Sequence, residues 1–319
     1  MVIDWIPPAP IFAARHRLAE GIIRSPLIRL PLSDAPCEIY LKLENLQPTG
    51  SFKLRGAGNA MEILGPDDLR NGVYTTSAGN MALAVAWNAR RLGIPCRVVV
   101  PEHAPRAKLD GVVRLGGEVH PVPFDKWWKA MEDRGYPGME GTFIHPVCDP
   151  AVIAGHGTIG LEILEDLPDV DAVIAPFGGG GLCCGIGAAF QAQNPAVKVY
   201  ACEVDTAAPL AAALEAGQPV EVPYTPSFVD GIGGKRVFDA MWPLSQELLE
   251  DSLVVPVLEV AVAVRLLAER SHIISEGAGA APLAAALSGR AGNGKVVCVV
   301  SGGNIDADRL ARILLGDTP

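Results

Sequence analysis

The chain alternates short apolar runs with alanine-rich stretches from about Val73 onward. The apolar runs predict strands, at CRVVVPE, DAVIAPF, VKVYACEV and KVVCVVSGG. The stretches between them have helical periodicity, among them MALAVAWNARRLG, which Gly93 closes. The predicted strands are almost continuously apolar, as expected when helices cover both faces of a parallel sheet. The pattern therefore predicts an α/β architecture with mostly parallel sheets.

The strand–helix cycles fall into two groups along the chain. Two cycles precede residue 148, several follow it, and the Gly- and Pro-rich segment GMEGTFIHPVCDPA lies between them. We interpret this segment as a crossing between two lobes that share a cleft. The expected organisation is a single catalytic unit, with a smaller lobe at about 71–148 inserted in a larger lobe at about 1–70 and 149–319.

Composition and charge narrow the class of protein. Of the 319 residues, 49% are hydrophobic and 19% charged, which is typical of a globular chain. The net charge of −10 argues against nucleic acid or an anionic membrane as a partner. No apolar stretch reaches the roughly 18 residues of a membrane span. The seven cysteines are scattered without C-x-x-C pairs, so we expect a cytoplasmic protein without structural disulfides.

Four consecutive glycines, Gly178 to Gly181, follow one predicted strand and precede a predicted helix. Such a turn exposes backbone N–H groups at a helix N-terminus, which suits a phosphate. No G-x-G-x-x-G occurs there, because residues 182–184 fill the positions that a third glycine would need. The stretch GRAGNGKV has P-loop spacing but places Val296 where Ser or Thr must hold magnesium. The pattern favours a phosphate that is not part of a nucleotide.

Two more turns and one lysine complete the candidate site. The segments Ser77 to Asn80 and Ser301 to Asn304 each follow a predicted strand, where ligands bind in open parallel sheets. In LENLQPTGSFKLRGA, Lys53 lies between Phe52 and a leucine, as expected for a lysine that is fixed and partly dehydrated. The residues thus indicate one anion site for a phosphate, one for a carboxylate, and an amine between them.

The motifs that carry these residues resemble those of a known family. YLKLENLQPTGSFKLRGA, SAGN, VIAGHGTIGLEIL, GGGGL, SEGAGAA and SGGNID occur in family order across almost the whole chain. The sequence resembles the pyridoxal-phosphate enzymes of the threonine/serine dehydratase group. The resemblance implies the two-lobe fold of tryptophan synthase β, known as fold type II, and pyridoxal 5'-phosphate as cofactor.

The resemblance also implies roles for individual residues. Lys53 would carry the cofactor as a Schiff base and then take the Cα proton of the substrate. The expected cofactor-binding residues are Phe52, Lys53, Asn80, Gly178, Gly179, Gly180, Gly181, Leu182, Glu276 and Ser301. The expected substrate-binding residues, which would receive the carboxylate, are Ser77, Ala78, Gly79 and Asn80.

The implied reaction is β-elimination from a β-hydroxy amino acid, which yields a 2-oxo acid and ammonia. L-Threonine and L-serine are the expected substrates, and 3-hydroxyaspartate or a hydroxyectoine-derived amino acid are alternatives. Related racemases carry a second serine where this chain has Ala78. β-Replacement enzymes such as cysteine synthase usually have Asp-Arg after the lysine, where this chain has Leu54 and Arg55. A racemase, a β-replacement enzyme and a non-catalytic binding protein are therefore less favoured readings.

Three positions depart from the family pattern. Met81 replaces a usual histidine, and His156 replaces the glutamine of AGQGT. Many members bind a divalent cation, for which Glu203 fits the first acid but Pro209 occupies the position of the second, so we expect no metal. We also expect no C-terminal regulatory domain, and a homodimer or homotetramer.

Overall fold

A computed structural model describes residues 2–104 and 106–319 of the chain. Its ten strands form a six-stranded and a four-stranded sheet in the described residues. The strands are β1 (Leu27–Arg29), β2 (Glu38–Leu43), β3 (Val73–Thr76), β4 (Cys96–Pro101), β5 (Glu118–Val122), β6 (Thr142–Phe143), β7 (Ala172–Pro176), β8 (Lys198–Val204), β9 (Asp251–Val255) and β10 (Lys295–Val300).

Helices pack on the sheets and separate most of the strands in the chain. They are α1 (Pro8–Leu18), α2 (Lys53–Ile63), α3 (Pro66–Leu69), α4 (Asn80–Leu92), α5 (Arg106–Arg114), α6 (Phe124–Glu132), α7 (Pro150–Asp166), α8 (Gly181–Gln193), α9 (Pro209–Ala216), α10 (Trp242–Leu248), α11 (Val257–Ser271), α12 (Gly277–Leu287) and α13 (Ala307–Leu314). No helix in these described ranges is long and apolar enough to cross a membrane.

The larger sheet has the strand order β1-β2-β10-β7-β8-β9. All neighbouring pairs are parallel except the edge pair β1–β2, so the predicted mostly parallel sheet is present. Every residue of β7 is buried, and so is nearly every residue of β8 and β10, because helices cover both faces. Two apolar clusters on opposite faces share these strands and form the main core.

The smaller sheet has the order β5-β4-β3-β6 and is entirely parallel. Its strands all lie within the range predicted for the smaller lobe, although the lobe boundaries themselves stay a prediction. Strand β6 belongs to the segment that we interpreted as an irregular crossing. Thr142 donates its backbone N–H to Gly72 and Ile144 to Tyr74, so part of this segment is an edge strand instead.

The two sheets direct their loops toward a common site. The carboxyl end of β3 leads through residues 77–79 into α4, and that of β7 leads through the four glycines into α8. The carboxyl end of β10 leads into the turn 301–304. Helix α2 begins at Lys53, and the loop before it is hydrogen-bonded to this last turn. The fold therefore places the three motif turns at the carboxyl ends of strands and joins the loop before Lys53 to the last of these turns.

Candidate active site

Lys53 is the first residue of α2, and backbone contacts hold the loop before it. The N–H of Phe52 donates to the carbonyl of Ser301 at 2.9 Å, and the N–H of Gly303 donates to Gly50 at 2.9 Å. Gly50 adopts φ +72°, a left-handed conformation that favours glycine. The lysine therefore extends from a loop with a defined backbone.

The amine of Lys53 lies in a partly dehydrated environment. Its Nζ donates to the carbonyl oxygen of Pro146 at 2.7 Å and lies 5.2 Å from the ring centroid of Phe52. Loss of hydration lowers the pKa of Lys53 to about 8. A lysine with this pKa is about one-tenth neutral at pH 7, far more than an ordinary lysine, and the neutral form is the one that acts as a nucleophile or base.

The glycine loop has the shape of an anion cradle. Gly180 adopts φ +92°, and a Cβ on Gly179 would lie 2.5 Å from Cγ1 of Val147. The backbone conformation therefore disfavours a side chain at Gly180, and crowding by Val147 disfavours one at Gly179. Helix α8 begins at Gly181 without a side-chain cap, so the N–H groups of its first turn can bind an anion. This loop fits the phosphate of the predicted cofactor.

Asn80 and Glu276 come together from distant parts of the chain. Asn80 begins α4, and its Nδ2 donates to Oε1 of Glu276 at 2.8 Å. Asn304, which the sequence indicated only as part of a turn, donates from its Nδ2 to Oδ1 of Asn80 at 2.7 Å. A contact across 224 residues has no local sequence signal, so sequence reasoning could not find this pair.

Ser301 is buried directly after β10, beside the loop that carries Phe52. The hydroxyl of Ser51, two residues before Lys53, is also buried and has no hydrogen-bond partner among the residues that the structure describes. A buried hydroxyl without a partner is costly unless a ligand or water satisfies it. Its position next to the lysine is consistent with a ligand at this site.

The segment Ser77 to Asn80 is the predicted carboxylate site. Ser77 Oγ accepts the N–H of Gly79 at 3.2 Å. Apart from the neighbours of Gly79 in the chain, no atom of the described residues lies within 4 Å of a Cβ placed on this glycine. The open space borders the N-terminus of α4, where backbone N–H groups favour an anion. Met81 is buried in the core of the smaller sheet, so this departure from the family pattern contributes to packing.

His156 lies behind Phe52, with their ring centroids 4.7 Å apart. Neither of its ring nitrogens has a hydrogen-bond partner in the described residues. Burial and the nearby charges of Lys53 and Arg55 hold the pKa of His156 well below its usual value. The sequence marked His156 only as a departure, and the structure makes it a neutral neighbour of Phe52, one of the predicted cofactor-binding residues.

Glu203, which fits the first acid of the family's cation site, binds other groups in the structure. Its Oε1 accepts the N–H of Leu210 at 2.9 Å, and its Oε2 accepts the N–H of Ala211 at 2.8 Å and the hydroxyl of Ser252 at 2.6 Å. Both oxygens thus bind the N-terminus of α9, which begins at Pro209 where a second acid would be needed. No group of three or more His, Cys, Asp or Glu side chains suited to a metal occurs in residues 2–104 and 106–319.

Comparisons with known proteins agree with this fold. The profile of the family described as pyridoxal-phosphate dependent enzyme matches residues 18–302, and the chain belongs to this family. The fold class predicted from the resemblance and the predicted cofactor are both confirmed.

The relatives define the group within the family. L-Threonine ammonia-lyase of Thermotoga maritima is 42% identical, over 87% of this chain and 70% of its own length. The catabolic L-threonine dehydratase of Escherichia coli K12 is 39% identical, over 95% of this chain and 94% of its own. The structure of maize serine racemase matches with TM-score 0.87 and 32% identity, over 97% of this chain and 96% of that one. The prediction of a pyridoxal-phosphate-dependent ammonia-lyase agrees with these relatives and is confirmed at that level.

Proposed function

We propose that the protein catalyses β-elimination from a β-hydroxy amino acid, with L-threonine and L-serine as its principal substrates. The observation that carries this proposal is the environment of Lys53. Its partly dehydrated amine donates to Pro146, next to Val147, which packs against the glycine loop. The loop before Lys53 is joined through Asn304 to Asn80 at the start of α4. The α8 N-terminus with its glycine cradle suits a phosphate, and the open α4 N-terminus suits a carboxylate. The threonine-specific names of the relatives support the choice of substrate.

The residues that would hold the cofactor surround Lys53. Gly178 to Gly181 and Leu182 would bind its phosphate, Phe52 would lie against its ring, and Ser301 would face the ring nitrogen. Asn80, oriented by Glu276 and Asn304, would bind the ring oxygen. Bound there, pyridoxal phosphate supplies an electron sink for the charge that develops at the substrate Cα.

Side chains and backbone groups of the protein bind the substrate and transfer its proton. Residues 77–80 bind the substrate carboxylate and orient the Cα–H bond toward Lys53. The neutral amine of Lys53 accepts the Cα proton, which its pKa of about 8 permits. The C–O bond at Cβ breaks as its oxygen gains a proton, and the hydroxyl leaves as water, so that the proton removed from Cα is in net terms passed to the leaving group. Hydrolysis of the resulting enamine gives the 2-oxo acid and ammonia.

Ala78 favours elimination over racemisation. Racemisation needs a second base on the opposite side of the substrate, and a methyl group at this position cannot exchange a proton. The similarity to maize serine racemase makes racemisation the alternative to test, although Ala78 removes the hydroxyl that it would use.

The test is a substrate panel with product analysis. The protein is incubated with L-threonine, L-serine and 3-hydroxyaspartate, while 2-oxo acid, ammonia and the D-enantiomer are quantified. We expect equal amounts of 2-oxo acid and ammonia from threonine or serine, with negligible D-enantiomer. Ala78→Ser is the matched variant, and we expect it to gain D-serine formation. The proposal fails if none of the three substrates yields 2-oxo acid, or if racemisation is the main wild-type reaction.

We also propose that the protein acts in the cytoplasm as a homodimer or homotetramer. The low content of charged residues, 19%, permits an apolar interface between copies. The absence of paired cysteine motifs suits a reducing compartment. Light scattering of the purified protein should give twice or four times the chain mass of 33.5 kDa, and a monomer would contradict the assembly.

A further inference from the structure

Asn304 joins three segments of the candidate active site through its carboxamide. Its Nδ2 donates to the carbonyl of Thr49 at 2.9 Å and to Oδ1 of Asn80 at 2.7 Å. Thr49 belongs to the loop before Lys53, Asn80 begins α4, and Asn304 itself follows β10. One side chain thus connects the lysine loop, the smaller sheet and the larger sheet.

The partners of Asn304 fix the orientation of two amides. A backbone carbonyl only accepts hydrogen bonds, so the atom of Asn304 that faces Thr49 must be the NH₂ group. The same group then donates to Asn80, whose facing atom must be oxygen. The Nδ2 of Asn80 is thereby directed to the carboxylate of Glu276, at 2.8 Å. These hydrogen bonds end at two acceptors, the carbonyl of Thr49 and the carboxylate of Glu276. Asn80 uses one N–H for Glu276 and has a second N–H to donate to a ligand.

The loop before Lys53 depends on the same turn. The backbone supplies two of its contacts, from Phe52 to Ser301 and from Gly303 to Gly50. Asn304 adds a side-chain contact to Thr49, four residues before the lysine. A Cβ on Gly50 would lie 2.6 Å from Oδ1 of Asn304, so the carboxamide is packed closely against this loop.

We propose that Asn304 is a positioning residue for the cofactor site, which sets the amide orientation of Asn80 and fixes the loop that carries Lys53. It acts through Asn80 and Thr49. The inference rests on the proposed function in one respect, that Asn80 binds the ring oxygen of the cofactor.

The decisive variant is Asn304→Asp, because it keeps the shape and replaces the NH₂ group. A carboxylate there faces the acceptors of Thr49 and Asn80 without a proton to share, so both contacts become repulsive. Asn45→Asp is the matched control. Asn45 lies beside Gly303 and donates from Nδ2 only to the carbonyl of Ile274, at 3.1 Å, in the described contacts. The control therefore makes the same chemical change nearby without involving Asn80.

The first readout is cofactor binding, measured by titration of the cofactor-free proteins with pyridoxal phosphate. We expect Asn304→Asp to weaken the affinity about tenfold and to shift the visible absorption maximum, because it disturbs a donor to the ring oxygen. Asn45→Asp should change neither. Equal behaviour of the two variants, or an unchanged spectrum and affinity in Asn304→Asp, would overturn the proposal.

The second readout is a double-mutant cycle on the same dissociation constant. Asn304→Ala should weaken cofactor binding about tenfold in the wild-type background and less than about threefold in Asn80→Ala, because its main partner is then missing. Equal effects in the two backgrounds would overturn action through Asn80. No substrate is used, so a protein that shows this coupling but turns over none of the three amino acids would contradict the proposed function alone.

Discussion

The amine of Lys53 is partly dehydrated and donates a hydrogen bond to the carbonyl of Pro146. Dehydration lowers its pKa to about 8, and this shift makes the lysine suitable for two tasks. The neutral form can attack the aldehyde of a cofactor and can accept a proton from a substrate. The same residue would be a protonated, inert cation near neutral pH at the surface, where the ordinary pKa is about 10.4.

The lowered pKa predicts how cofactor capture by the cofactor-free protein varies with pH. Only the neutral amine reacts, so the rate should rise with pH and reach half of its plateau near pH 8. At pH 6 it should be about a hundredfold below the plateau. Stopped-flow absorbance after addition of pyridoxal phosphate measures this rate. Nα-acetyl-lysine, whose ε-amine is free and surrounded by water, is the control. A midpoint near the control's would contradict a dehydrated amine.

The sequence indicated Lys53, the four glycines and the turn that ends at Asn80 from their chemistry, and the family resemblance added Glu276. It did not indicate the roles of Asn304 or His156. Asn304 acts through a partner 224 residues away, and His156 is defined by what surrounds it in the packed interior. Such relations depend on tertiary contacts and leave no periodic or local pattern in the chain.

The elements of secondary structure were easier to predict than their connections. Strands β4, β7, β8 and β10 are long, apolar runs, and each was predicted. Strand β6 has two residues, too few for a period to appear, and its pairing comes from the neighbouring β3. Helix α9 was also predicted, but its cap was not, because Glu203 reaches it from the end of β8.

The cap on α9 predicts that the protein does not require a divalent cation. Glu203 is committed to two N–H groups and the hydroxyl of Ser252, and Pro209 offers no second carboxylate. Neither 1 mM Mg²⁺ nor a chelator should therefore change the melting temperature or the activity. Glu203→Gln should lower the free energy of unfolding by about 1–2 kcal/mol, since an amide cannot accept all three hydrogen bonds. A rise in melting temperature with Mg²⁺ in the wild type would contradict this account.

Over the whole molecule, a buried group of four charges joins the larger sheet to two helices. Arg55 of α2 pairs with Glu44 at 2.7 Å and with Glu162 of α7 at 2.6 Å, and Lys42 of β2 pairs with Glu162 at 2.6 Å. Two positive and two negative charges balance in the interior. Burial alone would raise the pKa of Glu162, but Arg55 and Lys42 more than offset this effect and lower it. This charge group anchors α2 two residues after its first residue, Lys53.

The buried charge group predicts that replacement of Arg55 lowers the free energy of unfolding much more than replacement of an exposed arginine. Arg55→Met leaves two carboxylates with one lysine in the interior and should lower the free energy of unfolding by about 3–5 kcal/mol. The exposed pair of Arg70 with Asp67 provides the control, and Arg70→Met should change it by less than about 1 kcal/mol. Urea denaturation at saturating cofactor measures both.

The contribution of Glu162 to the free energy of unfolding should depend on pH. Because the pKa of Glu162 is lowered in the folded protein, its contribution to stability is present above the unfolded value of about 4.5 and is lost as the pH falls through the folded value. The wild type should lose this contribution on acidification, and Glu162→Gln should not show that part of the loss. Equal losses in Arg55→Met and Arg70→Met, or the same acid profile in Glu162→Gln, would contradict the account.

Borohydride reduction shows directly whether Lys53 carries the cofactor. The purified protein is loaded with pyridoxal phosphate, its absorbance spectrum is recorded, and borohydride reduction is followed by peptide mass analysis. We predict a visible band that is absent in Lys53→Ala, and a reduced adduct on the peptide that contains Lys53. Addition of L-threonine or L-serine before reduction should decrease the adduct and release 2-oxo acid. A wild type without the band, or an adduct on another lysine, would show that Lys53 does not carry the cofactor.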